Sequence, residues 1–137
     1  MDSLKQLLVL TVFSALAGLG LNAQTVNLKA SIPFDFHAGE KVIPAGEYQI
    51  HGGGSLFRVH PVDGNKPITA FLTFAAMRDG LNLGEPRLTF KRYGNAYYLR
   101  AIWNGDSTNG RELVKEAGEK ELAKQVKSTQ AMIVARK

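Results

Sequence analysis

Residues 87–103, Arg87-Leu88-Thr89-Phe90-Lys91-Arg92-Tyr93-Gly94-Asn95-Ala96-Tyr97-Tyr98-Leu99-Arg100-Ala101-Ile102-Trp103, decide the fold class. Two runs rich in aromatic and apolar residues flank Gly94-Asn95, a pair suited to the positive φ angles of a tight hairpin turn. A two-residue loop sets the register, so that 93 faces 96, 91 faces 98, 89 faces 100 and 87 faces 102. One face then carries Leu88, Phe90, Leu99 and Ala101 and belongs to the core. The other carries Arg87, Thr89, Lys91, Tyr93, Tyr98, Arg100 and Ile102, mixing cations with amphipathic rings.

Upstream, Val26, Leu28, Ala30 and Ile32 alternate with Asn27, Lys29 and Ser31, the pattern of a half-buried strand that Pro33 ends. Phe34-Asp35-Phe36 leads into a turn over 37–41. Val42-Ile43 resumes the extended chain, and Pro44-Ala45-Gly46 bends it before a strand over 47–51. Gly52-Gly53-Gly54 can take the positive φ of a reversal, and 55–60 returns. After a turn at 61–67, the run 68–75 is the most apolar, with Phe71, Leu72 and Phe74 predicting burial on both faces; 78–86 is a looser loop.

Downstream of the hairpin and a polar loop, 111–126 is rich in Glu, Lys, Ala and Leu and predicts the domain's helix. Val114, Gly118, Leu122 and Val126 form an i, i+4 stripe facing the sheet, with Gly118 allowing close approach and Glu116 spaced to pair with Lys120. The run 129–135 predicts a final strand in the same sheet. The expected class is mainly β: a single antiparallel sandwich or barrel-like domain of about seven strands with one C-terminal amphipathic helix.

The N-terminus gives an address. Lys5 lies in a short polar start, residues 7–21 (LLVLTVFSALAGLGL) carry no charge, and Leu21-Asn22-Ala23 brings a small residue before Gln24. These are the parts of a secretory signal. Ala15-Leu16-Ala17 is a neater cleavage site but would leave Leu19 and Leu21 on the mature end, so cleavage after Ala23 is expected. The apolar run is shorter than the roughly 20 residues of a spanning helix, so no span is expected to remain after cleavage. The chain has no cysteine to carry a lipid anchor. The expected organisation is a signal peptide over 1–23 and one β-rich domain over 24–137, in the periplasm or outside the cell.

Removing 23 residues from 137 leaves a chain large enough to build a core without disulfides. Its formal net charge of +5 favours anionic partners, namely an envelope polymer or lipid headgroups. The bases are scattered and export removes the chain from nucleic acid, so that partner is not expected.

No motif assigns catalysis, a cofactor or a metal. His37, His51 and His60 lack ligand spacing and border glycine or proline turns. Residues 104–110 (NGDSTNG) start like a calcium loop, but Asn109 stands where the glycine is required and Lys115 where the bidentate glutamate is required. Gly52-Gly53-Gly54 lacks the Lys-Ser/Thr of a phosphate loop, and no G-x-S-x-G elbow occurs. The remaining candidate is a binding surface of Arg87, Lys91, Tyr93, Tyr98 and Arg100, whose rings can stack on sugars and whose cations can meet phosphate or carboxylate. Against it stand an ordinary solvent face held by cross-strand contacts, and a face covered by the helix.

The series Ile32-Pro33-Phe34-Asp35-Phe36, Pro44-Ala45-Gly46-Glu47-Tyr48, Arg92-Tyr93-Gly94-Asn95, Ile102-Trp103 and Gly110-Arg111-Glu112-Leu113 resembles a group of small exported β-rich proteins of unknown function from soil bacteria. The resemblance runs over nearly the whole mature chain and implies an exported β domain. It carries no activity and gives no residue a role. The expected function is therefore a non-enzymatic exported module binding an anionic envelope component. The alternatives are a structural subunit self-associating through a sheet edge and a small secreted hydrolase.

Overall fold

The computed structural model describes residues 25–77, 84–106 and 109–137; the expected signal peptide over 1–23 and most of the 78–86 loop lie outside them. Among the described residues ten strands and one helix follow in order: β1 (Thr25–Ile32), β2 (Phe36–Ala38), β3 (Lys41–Ile43), β4 (Gly46–Gly53), β5 (Leu56–Pro61), β6 (Thr69–Met77), β7 (Arg87–Tyr93), β8 (Ala96–Trp103), β9 (Asn109–Leu113), α1 (Ala117–Gln125) and β10 (Thr129–Val134). The chain is mainly β, as its alternation predicts. The count is ten rather than about seven, and the strands form one open sheet instead of a sandwich or a clear closed barrel.

The sheet runs β1-β4-β5-β6-β9-β8, with β7 and then β10 beyond β8. Along its second edge β8 is shared: β9 pairs with Ala101–Trp103, and β2 meets it once, in parallel, where His37 stands beside Tyr98. A two-bond bridge between Lys29 and Arg136 joins β1 to the chain after β10, drawing the two ends of the sheet together at one point.

The alternation in β1 places Leu28, Ala30 and Ile32 inside, against Tyr48 and Ile50 of β4, Phe57 and Val59 of β5 and Phe90 of β7. Each such aromatic or aliphatic side chain, fully buried, contributes about 1.5–3 kcal/mol. Phe36 meets Tyr48 and Phe90 edge-on, at 5.8 and 5.6 Å between centroids. The bend after β3 is fixed by polar contacts: the Tyr48 hydroxyl donates to the Pro44 carbonyl, and Asp35 Oδ1 accepts from the Ala45 N–H at 2.9 Å. Phe34 stacks on Tyr97 at 3.8 Å.

Two expectations about burial are corrected. Strand β6 is buried on one face only: Phe71 and Thr73 point inward, whereas Leu72 is 63% exposed and Phe74 is also exposed. The helix does not span 111–126. Asn109–Leu113 is drawn into the sheet as β9, pairing over its whole length with β6 and over three positions with β8. The Arg111 guanidinium there donates to the hydroxyl and carbonyl of Thr73, both at 3.0 Å.

Helix α1 thus keeps nine residues, and the predicted apolar stripe is not its buried face. Val114 and Val126 are exposed and flank the helix rather than belonging to it; Leu122 is half-buried and Gly118 exposed. The buried residue of α1 is Glu119, 3% exposed. The ion pair on the helix is Lys124 with Glu121, at 3.2 Å, among the described residues.

Candidate functional site

The hairpin β7–β8 has the strand limits its sequence predicts, but its register slips. Tyr93 faces Ala96 and Lys91 faces Tyr98, then Phe90 faces Leu99, Thr89 faces Ala101 and Arg87 faces Trp103. Arg100 is the extra residue of a β-bulge, which turns the rest of β8 over. Ile102 therefore enters the core, and Ala101 moves to the outer face, the reverse of the even register.

On the outer face the register assembles two rows. Phe74, Glu112, Ala101, Thr89 and Met132 stand side by side from β6 through β9, β8 and β7 to β10, and next to them run Ala76, Gly110, Trp103, Arg87 and Val134. Trp103 is half-buried and lies over Gly110, where a Cβ would fall inside the indole ring's contact distance. Its Nε1–H donates to Thr89 Oγ1 at 3.1 Å, which fixes the ring's orientation. Around it opens a shallow groove of about 370 Å³ whose polar rim includes Lys91, Arg100, Glu112 and Gln130, with Met77 at one end.

The five residues singled out in the sequence divide between this groove and a second feature. Lys91 and Arg100 line the groove. Arg87, buried, lies in the Trp103 row with Glu85 Oε2 3.8 Å from its Nη2. Tyr93 and Tyr98 are buried beneath α1, so the helix does cover that end of the face. There Glu119 Oε2 accepts from the Tyr93 hydroxyl at 2.9 Å and forms an ion pair with Arg100 Nη2, while Arg100 Nη1 donates to the Leu113 carbonyl at 2.7 Å. Arg100 Nε is buried without a hydrogen-bond partner among the described residues. His37 stacks on Tyr98, its centroid 4.2 Å away.

Burial sets the electrostatics of this cluster. It raises the pKa of Tyr93, helped by the hydrogen bond to Glu119, and that of Tyr98, helped by the Glu119 charge. Burial lowers the pKa of His37, and the Glu119 carboxylate opposes that shift. The cluster therefore holds neutral rings around one internal ion pair.

Trp103, Glu112 and Gln130 are groove residues that sequence reasoning missed. An even register puts Trp103 on the core side, and Glu112 reads as helical. Gln130 lies in the predicted strand over 129–135, but its pairing with Lys91 is a contact between distant segments that local pattern does not show.

The other histidines, His51 and His60, stack on the outside of β4 and β5 with centroids 4.3 Å apart. Among the described residues no group of three or more potential metal-ligating side chains converges. No described helix is long and apolar enough to cross a membrane. A second concavity of about 380 Å³ opens at one end of the sheet, floored by Val26, Phe57 and Ile102, with Arg111 on its rim already committed to Thr73. Comparison with protein-family models, curated proteins and solved structures found no match to this chain.

Proposed function

We propose that the protein is an exported, non-enzymatic β module that holds an acidic glycan of the cell envelope in the groove over Trp103. The observation that carries this reading is the pairing of a flat, hydrogen-bonded indole with charged and amide side chains around one shallow groove. An indole face suits the apolar side of a pyranose ring, while Lys91, Gln130 and Glu112 suit its hydroxyl and carboxylate groups. The net charge of +5 favours an anionic polymer over a neutral one. The signal-like N-terminus supports an encounter in the envelope.

The test is co-sedimentation of the mature chain with isolated envelope polysaccharide at low and high salt. Lys91→Ala and Trp103→Ala are expected to release the protein, each checked for folding by circular dichroism. Retention by both folded variants would sink the groove, equal retention on anionic lipid vesicles free of glycan would move the ligand to headgroups, and release of new reducing ends would point to the hydrolase reading.

A second reading, a structural subunit, draws support from the outward-facing Leu56, Leu72 and Phe74, with Leu56 directly opposite Leu72 on adjacent strands. It predicts concentration-dependent association in sedimentation velocity, and a strict monomer at high concentration would exclude it.

A further inference from the structure

We infer that Glu119 is an internal stand-in for the ligand's carboxylate, and that α1 is a displaceable plug over an anion site built from Arg100 and Tyr93. The inference rests on the glycan-groove reading and deepens it by naming the group recognised and what must move.

Four observations converge. First, Glu119 is the buried residue of a helix that is otherwise polar and exposed, with Leu122 only half-buried. A nine-residue helix without a side-chain N-cap is too short to persist by itself, since isolated helices below roughly 12–15 residues are marginal in water. Its docking therefore depends on the carboxylate. Second, the receptor for that carboxylate belongs to the sheet: Arg100 Nη2 and the Tyr93 hydroxyl converge on the same oxygen, Oε2. Neither donor is on α1, so the site is held by the hairpin when the helix leaves.

Third, Arg100 is the bulge residue, and it lines the groove as well as meeting the helix. Its Nη1 bond to Leu113 keeps the guanidinium in place, and its Nε is a donor with no partner among the described residues. Fourth, the closed state spends the groove's second cation internally. With Arg100 paired to Glu119, the charged side chains left to line the groove are Lys91 and Glu112, which together carry little net charge. Displacing Glu119 leaves Arg100 and Lys91 together as a cationic pair, adjoining the Trp103 platform. A ligand carboxylate that replaces Glu119 keeps both donors satisfied, so the exchange leaves no buried guanidinium uncompensated. The ligand class that fits is a uronic-acid oligosaccharide: a sugar ring for Trp103 and a carboxylate for Arg100.

The experiment uses an oligogalacturonate and a neutral glucan of equal length, titrated into the mature wild-type chain, Glu119→Gln and Tyr93→Phe by calorimetry. Amide exchange over residues 117–125 is followed in parallel. An apparent dissociation constant rises as the competent fraction falls. Glu119→Gln, a weaker internal competitor, is expected to bind oligogalacturonate roughly tenfold more tightly than wild type. Tyr93→Phe keeps the ring but removes one donor from both the plug and the ligand. It is expected to speed helix exchange without reproducing that gain. In the wild type, oligogalacturonate but not glucan is expected to accelerate exchange across α1.

Equal affinity of wild type and Glu119→Gln, with α1 exchange unmoved by ligand, overturns the plug and leaves the groove reading intact. Tight binding by Glu119→Gln that ignores Lys91→Ala and Trp103→Ala supports the plug and overturns the groove. Binding by neither protein overturns both. A Glu119→Gln chain that melts globally, rather than losing protection only over 117–125, also overturns the plug.

Discussion

Trp103 lies across Gly110 on the strand to one side, with its indole N–H tied to Thr89 on the strand to the other side. The ring thus spans β9, β8 and β7 on the outer face, occupying space that any side chain at 110 would need. Gly110→Ala is expected to tilt or expel the ring and to cost about 1–3 kcal/mol by overpacking. The chain has one tryptophan, so intrinsic fluorescence reads the change directly. A red-shifted emission with a lower urea midpoint is the expected result, and unchanged emission would contradict this packing.

The Arg100–Glu119 pair gives a second prediction. Removing one member of a buried ion pair leaves the other uncompensated, at a cost of about 3–5 kcal/mol, whereas replacing both by apolar residues is often close to neutral. Here the helix can undock and let water reach Arg100, so Glu119→Ala is expected at the lower end, near 3 kcal/mol. The double variant Arg100→Met/Glu119→Leu should recover most of it. Additive losses in a urea double-mutant cycle would show that the two groups do not interact.

Stability should fall on both sides of neutral pH. Burial lowers the pKa of His37, and burial with the nearby His60 and Arg58 lowers that of His51, from the ordinary 6.5. As the pH drops through 6.5 the unfolded chain takes up these protons before the folded one does. The folded state therefore loses stability below that point. His51→Gln should flatten part of the acid limb in urea midpoints measured at a series of pH values.

At alkaline pH the raised values of Tyr93 and Tyr98 mean that the unfolded chain deprotonates first, so stability falls as the pH climbs through 10. Tyr93→Phe should weaken that limb. A midpoint that stays level up to well above 10 would contradict the buried placement of both rings.

The two faces of β6 predict opposite tolerances. Leu72→Asn, on the exposed side, should change stability by less than about 0.5 kcal/mol. Phe71→Ala, 6% exposed, should cost about 3–5 kcal/mol. Comparable losses at both positions, measured by denaturant unfolding, would mean that Leu72 is covered in solution.

What could be read from the chain follows from the range of the interactions involved. The limits of β7 and β8 were legible because Gly94-Asn95 fixes a turn locally, and β1 because four apolar residues alternate without interruption. The bulge at Arg100 was not, since a turn sets register only as far as the pairing stays regular. That one slip hid Trp103 and misplaced both Ala101 and Ile102. Residues 109–113 failed for a different reason: Glu112, Leu113 and the acidic and basic residues after them favour a helix locally, but the gap between β6 and β8 claims them as a strand. Tertiary pairing outweighs a propensity of a few tenths of a kcal/mol per residue. The three-residue strands β2 and β3 are too short to show any period. Of the candidate surface, Lys91 and Arg100 do line one groove, whereas the burial of Tyr93 and Tyr98 depends on a helix whose anchor is a carboxylate and not an apolar stripe.

The Lys29–Arg136 bridge has a kinetic meaning. It joins β1 to the residues just after β10, so the seam closes between segments far apart in sequence, at opposite ends of the sheet. Contacts this distant in sequence make folding slow and close late. Delayed closure would leave the sheet open until β10 has docked on β7, and only then would its two ends draw together.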